Sequence, residues 1–245
     1  MSSQIVFKVS RYNPDRDTKP EMKEFRFAVK PGMTVLEGLY HILEYIDHTL
    51  AFRSSCRAAV CGSCAMHING KYRLACNTQI AALKSETVEI RPLFHMPVLK
   101  DLVVDHSGFF GNLMELKPWL MEKDGKAPEK ENLQSPGQRK KLDVVSDCIM
   151  CQACYASCPV AGTDSKYFGP HAFLKALRFL NDSRDGGQME RLSKLAGESG
   201  VFRCHTVFNC QQVCPKHLDP AGAIARIKMS ITLKQLKGKL KRGNN

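Results

Sequence analysis

The sequence predicts an α+β chain: an N-terminal β-grasp domain over residues 1–105, a connecting segment over 106–141 and an α-helical domain over 142–245. Three observations lead there. Apolar residues near the amino terminus alternate with polar ones, the period of a half-buried strand. Later in the chain they recur at helical spacing instead. Between the two, residues 122–141 are polar and carry Gly125, Pro128, Pro136 and Gly137, the composition of a surface connection. A hydrophobic fraction of 43% over 245 residues can fill two modest cores.

Taken in order, residues 5–9 and the alternating Phe25, Phe27 and Val29 read as two strands paired across the polar turn 13–19. Pro31-Gly32 breaks the sheet. Thr34 and Glu37 then form a capping box for a helix with Leu36, Leu39, Leu43 and Ile46 on one face. After a cysteine-bearing loop, 65–68 and 72–75 flank Asn69-Gly70, a strong hairpin signal, and 87–90 offers a further strand. Strand, strand, helix, loop, hairpin and strand add up to a β-grasp. Beyond the connection, Ser135-Pro136 with Gln138 starts a helix toward Cys148. Phe173, Leu174, Leu177 and Leu180 form a stripe after Pro170, and Asp219-Pro220 caps a helix carrying Ile224, Ile227 and Ile231. These stripes are packing faces.

The cysteines carry the chemistry. Cys148, Cys151, Cys154, Cys158 and Pro159 follow the C-x2-C-x2-C-x3-C-P ruler, and Cys204, Val207, Cys210, Cys214 and Pro215 repeat it with a valine in place of the second thiol. In bacterial-type ferredoxins with two clusters, the fourth cysteine of each run ligates the other run's cluster. Exchanging the tails gives Cys148, Cys151, Cys154 and Cys214 to a complete [4Fe-4S] cube and leaves Cys158, Cys204 and Cys210 as a site of three thiolates. Valine cannot bind iron, so [3Fe-4S] is the simplest occupant of that site; the alternative is a cube completed by a side chain such as His205. Cys56, Cys61 and Cys64, with Cys76 further on, show the plant-type [2Fe-2S] spacing. All 11 cysteines are thereby used.

Other uses of cysteine fit less well. A disulfide scaffold belongs to short secreted chains, whereas this one has 245 residues and an odd cysteine count. Structural zinc wants pairs of CxxC about a dozen or more residues apart rather than three cysteines in close succession before a proline. The formal net charge of +12 counts these cysteines as neutral, while as cluster ligands they are thiolates, which weakens a nucleic-acid reading. The basic bias persists in Lys228, Lys234, Lys237, Lys239, Lys241 and Arg242, a solvated helix face or else a contact for an anionic membrane surface. No run approaches 18 apolar residues and the start lacks a charged, then apolar, leader. A peripheral protein on the cytoplasmic side is expected. The sequence offers no nucleophile–base set, P-loop or dinucleotide fingerprint, so its role is electron transfer and the bond-making chemistry belongs to a partner.

The loop Ser55-Cys56-Arg57-Ala58-x-x-Cys61-Gly62-Ser63-Cys64, the run ending Cys158-Pro159, and the stretch from Val201-Phe202-x-Cys204 through Cys214-Pro215-Lys216 resemble the iron–sulfur subunits of succinate dehydrogenase and fumarate reductase. The resemblance runs in order over nearly the whole chain. It implies a subunit of an oxidoreductase complex that holds no catalytic centre itself. Its clusters would link a flavoprotein subunit with covalently bound FAD, where succinate and fumarate interconvert, to a quinone beside membrane-anchor subunits, with no nucleic acid involved. In such relatives the positions matching Pro159 and His205 line the quinone pocket and that matching Lys228 lies near it; otherwise His205 is a neighbour of Cys204 and Lys228 an exposed helix lysine. Ubiquinone-using relatives often carry tryptophan shortly after the cysteine-proline. Here Val160-Ala161-Gly162-Thr163-Asp164 stands there, which favours menaquinone. The stretch 181–185 resembles fumarate reductases somewhat. Iron–sulfur subunits of other flavin dehydrogenases and heterodisulfide reductases usually show two complete cubes and often CCG motifs, and this chain has neither.

Overall fold

The computed structural model describes residues 4–123 and 129–240. Gly125 and Pro128 of the expected connection, and Lys241 and Arg242 of the basic tail, lie outside the described residues. The chain divides into two compact units. The first comprises Met1–His106 with Ile149–Ser157, and the second Ser107–Cys148 with Cys158–Asn245. Most of the segment expected to connect two domains therefore belongs to the second unit, and a piece of the first cysteine run belongs to the first.

In the first unit, β1 (Gln4–Arg11) and β2 (Glu21–Ala28) pair antiparallel, with Ile5 opposite Phe27. The helix α1 (Val35–Tyr45) begins at the capping box expected from the sequence: Glu37 N donates to Thr34 Oγ1 at 3.2 Å, and Thr34 N donates to Glu37 Oε2 at 2.7 Å. Its buried face is Val35, Leu36, Leu39 and Ile42; Leu43 is half-buried and Ile46 caps the helix end in solvent, so the expected stripe is displaced by one residue at its far end. β3 (Ala65–Ile68) and β4 (Lys71–Leu74) form a hairpin turning at Asn69 and Gly70, both left-handed, and β5 (Thr87–Arg91) completes the sheet. The order is β2-β1-β5-β3-β4, with β5 parallel to β1 and antiparallel to β3. Phe7, Val9, Val88 and Ile90 are fully buried with Leu39 and Ile42. Gly38 lets α1 sit close to the sheet, because a Cβ there would stand 2.6 Å from the Phe7 ring. A short antiparallel pair, β6 (Val98–Lys100) and β7 (Val103–Val104), follows.

The second unit is helical. It opens with α2 (Ser107–Met114), then α3 (Pro136–Lys140) and α4 (Asp143–Ser146). Ser135 and Gln138 form the expected capping box, but the helix stops after five residues and resumes as α4 once Leu142 has turned into the core. The chain then contributes α5 (Ala153–Ala156) to the first unit and α6 (Pro159–Thr163) to the second. There α7 (Pro170–Leu180), α8 (Gln188–Ala196) and α10 (Pro220–Leu236) pack on one another, with α9 (Asn209–Gln212) against α10. Phe173, Leu195, Ile227 and Ile231 are the centre of this core. The expected Asp219 cap is present, its Oδ1 accepting from Gly222 N at 2.7 Å. Among the described residues, no helix is long and apolar enough to cross a membrane.

Candidate metal centres

The first candidate centre is the loop that follows α1. Backbone amides converge on its thiols: Cys61 N on Cys56 Sγ at 3.2 Å, Ala58 N and Val60 N on the same sulfur at 3.4 Å, Ala59 N on Cys76 Sγ at 3.4 Å and Cys76 N on Cys64 Sγ at 3.5 Å. Left-handed backbone at Arg57 (φ 56°), Ala59 (φ 56°) and Gly62 (φ 76°) turns those amides inward. Such donors stabilise a sulfur that carries negative charge. Hydrogen bonds from the Ser63 hydroxyl and from nearby amides bring the Cys61 thiol down to about 6, while burial pushes Cys64 up to about 12. The donor set and the amide cradle fit a plant-type cluster held by Cys56, Cys61, Cys64 and Cys76.

Next to this loop, still within the first unit, Gly62 faces the first cysteine run. A Cβ at Gly62 would stand 2.9 Å from Cys151 Cα and Cβ and from the Ile149 carbonyl oxygen. Cys151 and Cys154 thus belong to the first unit, with left-handed Met150 and Gln152 between and before them. Cys148 and Cys214 belong to the second unit, where Lys175 Nζ donates to the Cys148 carbonyl at 3.3 Å and Leu218 N to Cys214 Sγ at 3.4 Å.

The third candidate centre lies wholly in the second unit. Cys158, Cys204 and Cys210 line one cavity of about 370 Å³, partly open to solvent, with Pro159, Tyr167, His205, Val207 and Phe208 also on its wall. Cys158 is the N-cap of α6, and the amides of Ala161 and Val160 in the first turn face its sulfur; Cys210 sits in the first turn of α9. Thr206 N, on left-handed backbone, donates to Cys204 Sγ at 3.4 Å. Burial, then the charges of Cys158 and Cys204, push Cys210 up to about 12. Burial and Cys204 likewise raise Cys158. Three thiols around a shared cavity, two of them buried enough to resist ionisation without a compensating charge, fit a cationic group among them. Val207, half exposed on the wall, presents only methyl groups there.

Of the residues connected with quinone by resemblance, Pro159 and His205 line this cavity, and Lys228 on α10 donates from Nζ to the Cys204 carbonyl at 3.1 Å. Sequence reasoning missed Tyr167, a lone aromatic without spacing to mark it, and missed the amide cradle, which only the φ angles reveal.

Two family models match the chain, one after the other. Residues 6–111 match the family described as a 2Fe-2S iron-sulfur cluster binding domain, and residues 140–215 match the 4Fe-4S dicluster domain. In fold, the chain is similar to a chain of the Mycobacterium smegmatis Sdh1 complex in the apo form, with TM-score 0.87, 24% identity, and 96% of this chain and 98% of that one covered. A hypothetical protein from Helicobacter pylori is more distant, with TM-score 0.56, 16% identity, and 93% and 40% covered. The mitochondrial succinate dehydrogenase [ubiquinone] iron-sulfur subunit of Candida glabrata is 42% identical over 229 residues, 92% of this chain and 90% of that protein. By that identity and coverage, the chain belongs to the family of succinate dehydrogenase iron–sulfur subunits, components of an oxidoreductase complex.

Proposed function

We propose that this chain is the electron relay between a flavoprotein subunit that interconverts succinate and fumarate on covalent FAD and a quinone held against a membrane-anchor subunit. The ligand sets are Cys56, Cys61, Cys64 and Cys76 for [2Fe-2S], Cys148, Cys151, Cys154 and Cys214 for [4Fe-4S], and Cys158, Cys204 and Cys210 for [3Fe-4S]. When bound, these groups supply one-electron redox chemistry. The chain's own residues hold the sulfurs by short backbone turns and aim amide dipoles at them. Lys228 ties α10 to the Cys204 loop that carries His205, and Pro159 and His205 line the cavity that a quinone would approach. Val160 through Asp164 in place of tryptophan favours menaquinone, and the chain would sit peripherally on the cytoplasmic side of the inner membrane. Either direction of turnover, succinate oxidation or fumarate reduction, is compatible with these residues.

One observation carries this reading: three cysteines from separate elements share a cavity whose wall bears Val207 where the repeat calls for a fourth thiol. Anaerobically purified protein should be brown and hold about nine irons, with negligible zinc. Low-temperature paramagnetic resonance should show a three-iron signal in the oxidised sample and the two-iron signal after dithionite. Val207→Cys should replace the three-iron signal with that of a cube and lower the potential of the site. A colourless protein with stoichiometric zinc would refute the relay, and an unchanged three-iron spectrum in the variant would refute the account of the missing ligand.

A further inference from the structure

Tyr167 shares the third cavity with the three thiols. It is fully buried, and its ring packs edge-on against Phe173 with centroids 5.4 Å apart. Its backbone is fixed independently, the amide donating to the Asp164 carbonyl at 3.2 Å and the carbonyl accepting from Asn112 Nδ2 at 3.1 Å. Yet its hydroxyl makes no well-formed hydrogen bond among the described residues, although the Cys204 side chain is within reach of it. A buried hydroxyl left unpaired is costly, and in a native structure such a group calls for an acceptor, an ion or a water. The surroundings name the acceptor's chemistry: Cys158, Cys204 and Cys210 stand on the wall of the same cavity. The group is therefore a phenol O–H facing sulfur.

We infer that the Tyr167 hydroxyl donates a hydrogen bond to the sulfur shell of the third cluster, at or beside Cys204 Sγ, and so raises that cluster's reduction potential. The inference rests on Cys158, Cys204 and Cys210 being cluster ligands. Its physical basis is a difference between oxidation states. Adding an electron makes the sulfurs more negative, a donated hydrogen bond strengthens with that charge, and the reduced form gains more than the oxidised one. Phenylalanine at this position would keep the packing against Phe173 and lose only the donor.

The test is a redox titration of the assembled complex, read by paramagnetic resonance. Tyr167→Phe should retain the three-iron signal and lower its midpoint by about 59 mV, the one-electron equivalent of a tenfold change in the reduction equilibrium. Electron–nuclear double resonance of the oxidised native protein should show an exchangeable proton coupled to the cluster that Tyr167→Phe lacks, a signature that ring packing alone would not change. If Tyr167→Phe fails to retain the cluster, 3-fluorotyrosine at this position keeps the ring, makes the phenol a stronger donor and should raise the midpoint. An unmoved midpoint in either substituted protein with its cluster intact overturns the inference and leaves the ligand assignment standing. Absence of a third cluster from the native protein overturns both.

Discussion

At the scale of residues, the first candidate centre depends on backbone conformation as much as on cysteine. Its thiols are met by amides because Arg57, Ala59 and Gly62 adopt left-handed conformations, and Gly62 combines that conformation with a close approach of backbone from elsewhere in the chain. Gly62 and Gly70 share a φ of 76°, which makes them a controlled pair. Alanine at either position pays about 1–2 kcal/mol for the left-handed backbone. At Gly70 the added methyl meets nothing within 4 Å, whereas at Gly62 it would overlap the backbone of Cys151. Gly62→Ala should therefore destabilise the first unit by about 1–3 kcal/mol more than Gly70→Ala, the range for overpacking, and should perturb the [2Fe-2S] resonance. Thermal unfolding of the two variants side by side measures the excess; equal losses would remove the approach of Cys151 as the reason for glycine. The cysteines themselves were readable because ligand spacing is a one-dimensional property. The contact of Gly62 was not, since its partner lies far along the chain and leaves no local pattern.

Among elements, those with strong local rules were the readable ones. The capping boxes at Thr34 and Ser135, the Asn69-Gly70 hairpin and the Asp219-Pro220 start all formed where side-chain chemistry alone demands them. α2 and α8 escaped notice for the converse reason. α2 contains two glycines, poor helix formers, and α8 buries only Leu192 and Leu195 among its apolar residues. Beyond the packing of Leu192 and Leu195, what holds α8 is ionic. Arg191, 1% exposed, pairs with buried Asp185 and donates to the carbonyls of Leu116 at 3.1 Å, Lys117 at 2.9 Å and Trp119 at 2.6 Å. The stretch 181–185 is thus an anchor for the segment after α2. Its other acid, Asp182, is held at about 2 by hydrogen bonding to Arg184, with Arg178 adding its charge. Arg191→Met would leave Asp185 buried without its cation, held only by the amides of Met121 and Gly187, and would take a donor from three carbonyls. The cost should be about 3–5 kcal/mol, and Asp185→Leu added to it should restore a large part, because a buried pair removed whole costs far less than one cut in half. Hydrogen exchange across residues 115–121 should accelerate in the single variant and slow again in the double; a double variant no better than the single would show that the stranded charge is not the source of the loss.

On the scale of the whole molecule, the two units differ in what sustains them. The sheet of the first is built round β1, β5 and α1, whose buried residues include no cysteine, and Cys64 is buried only where the chain enters β3, so most of its core is made without iron. In the second, α7, α8 and α10 supply an apolar core, but Cys158 and Cys210 are carried by α6 and α9, helices of five and four residues. Isolated helices shorter than about 12 residues are marginal in water, so these persist only through what they pack on or bind. Metal bound by thiolates contributes its binding free energy to the fold of the segments that ligate it. Iron removal by oxidation and chelation should accordingly act by segment. Amide protection should fall in 56–61, in α6, in 204–208 and in α9. The strands β1 and β5 and the buried turns of α7 and α10 should keep theirs, with only a modest loss of helical circular dichroism. Mass-resolved hydrogen exchange on the iron-loaded and iron-depleted protein measures this directly. If the sheet of the first unit lost protection as completely as α6 and α9 did, the iron would be sustaining both cores, and the independence assigned here to the first unit would be wrong.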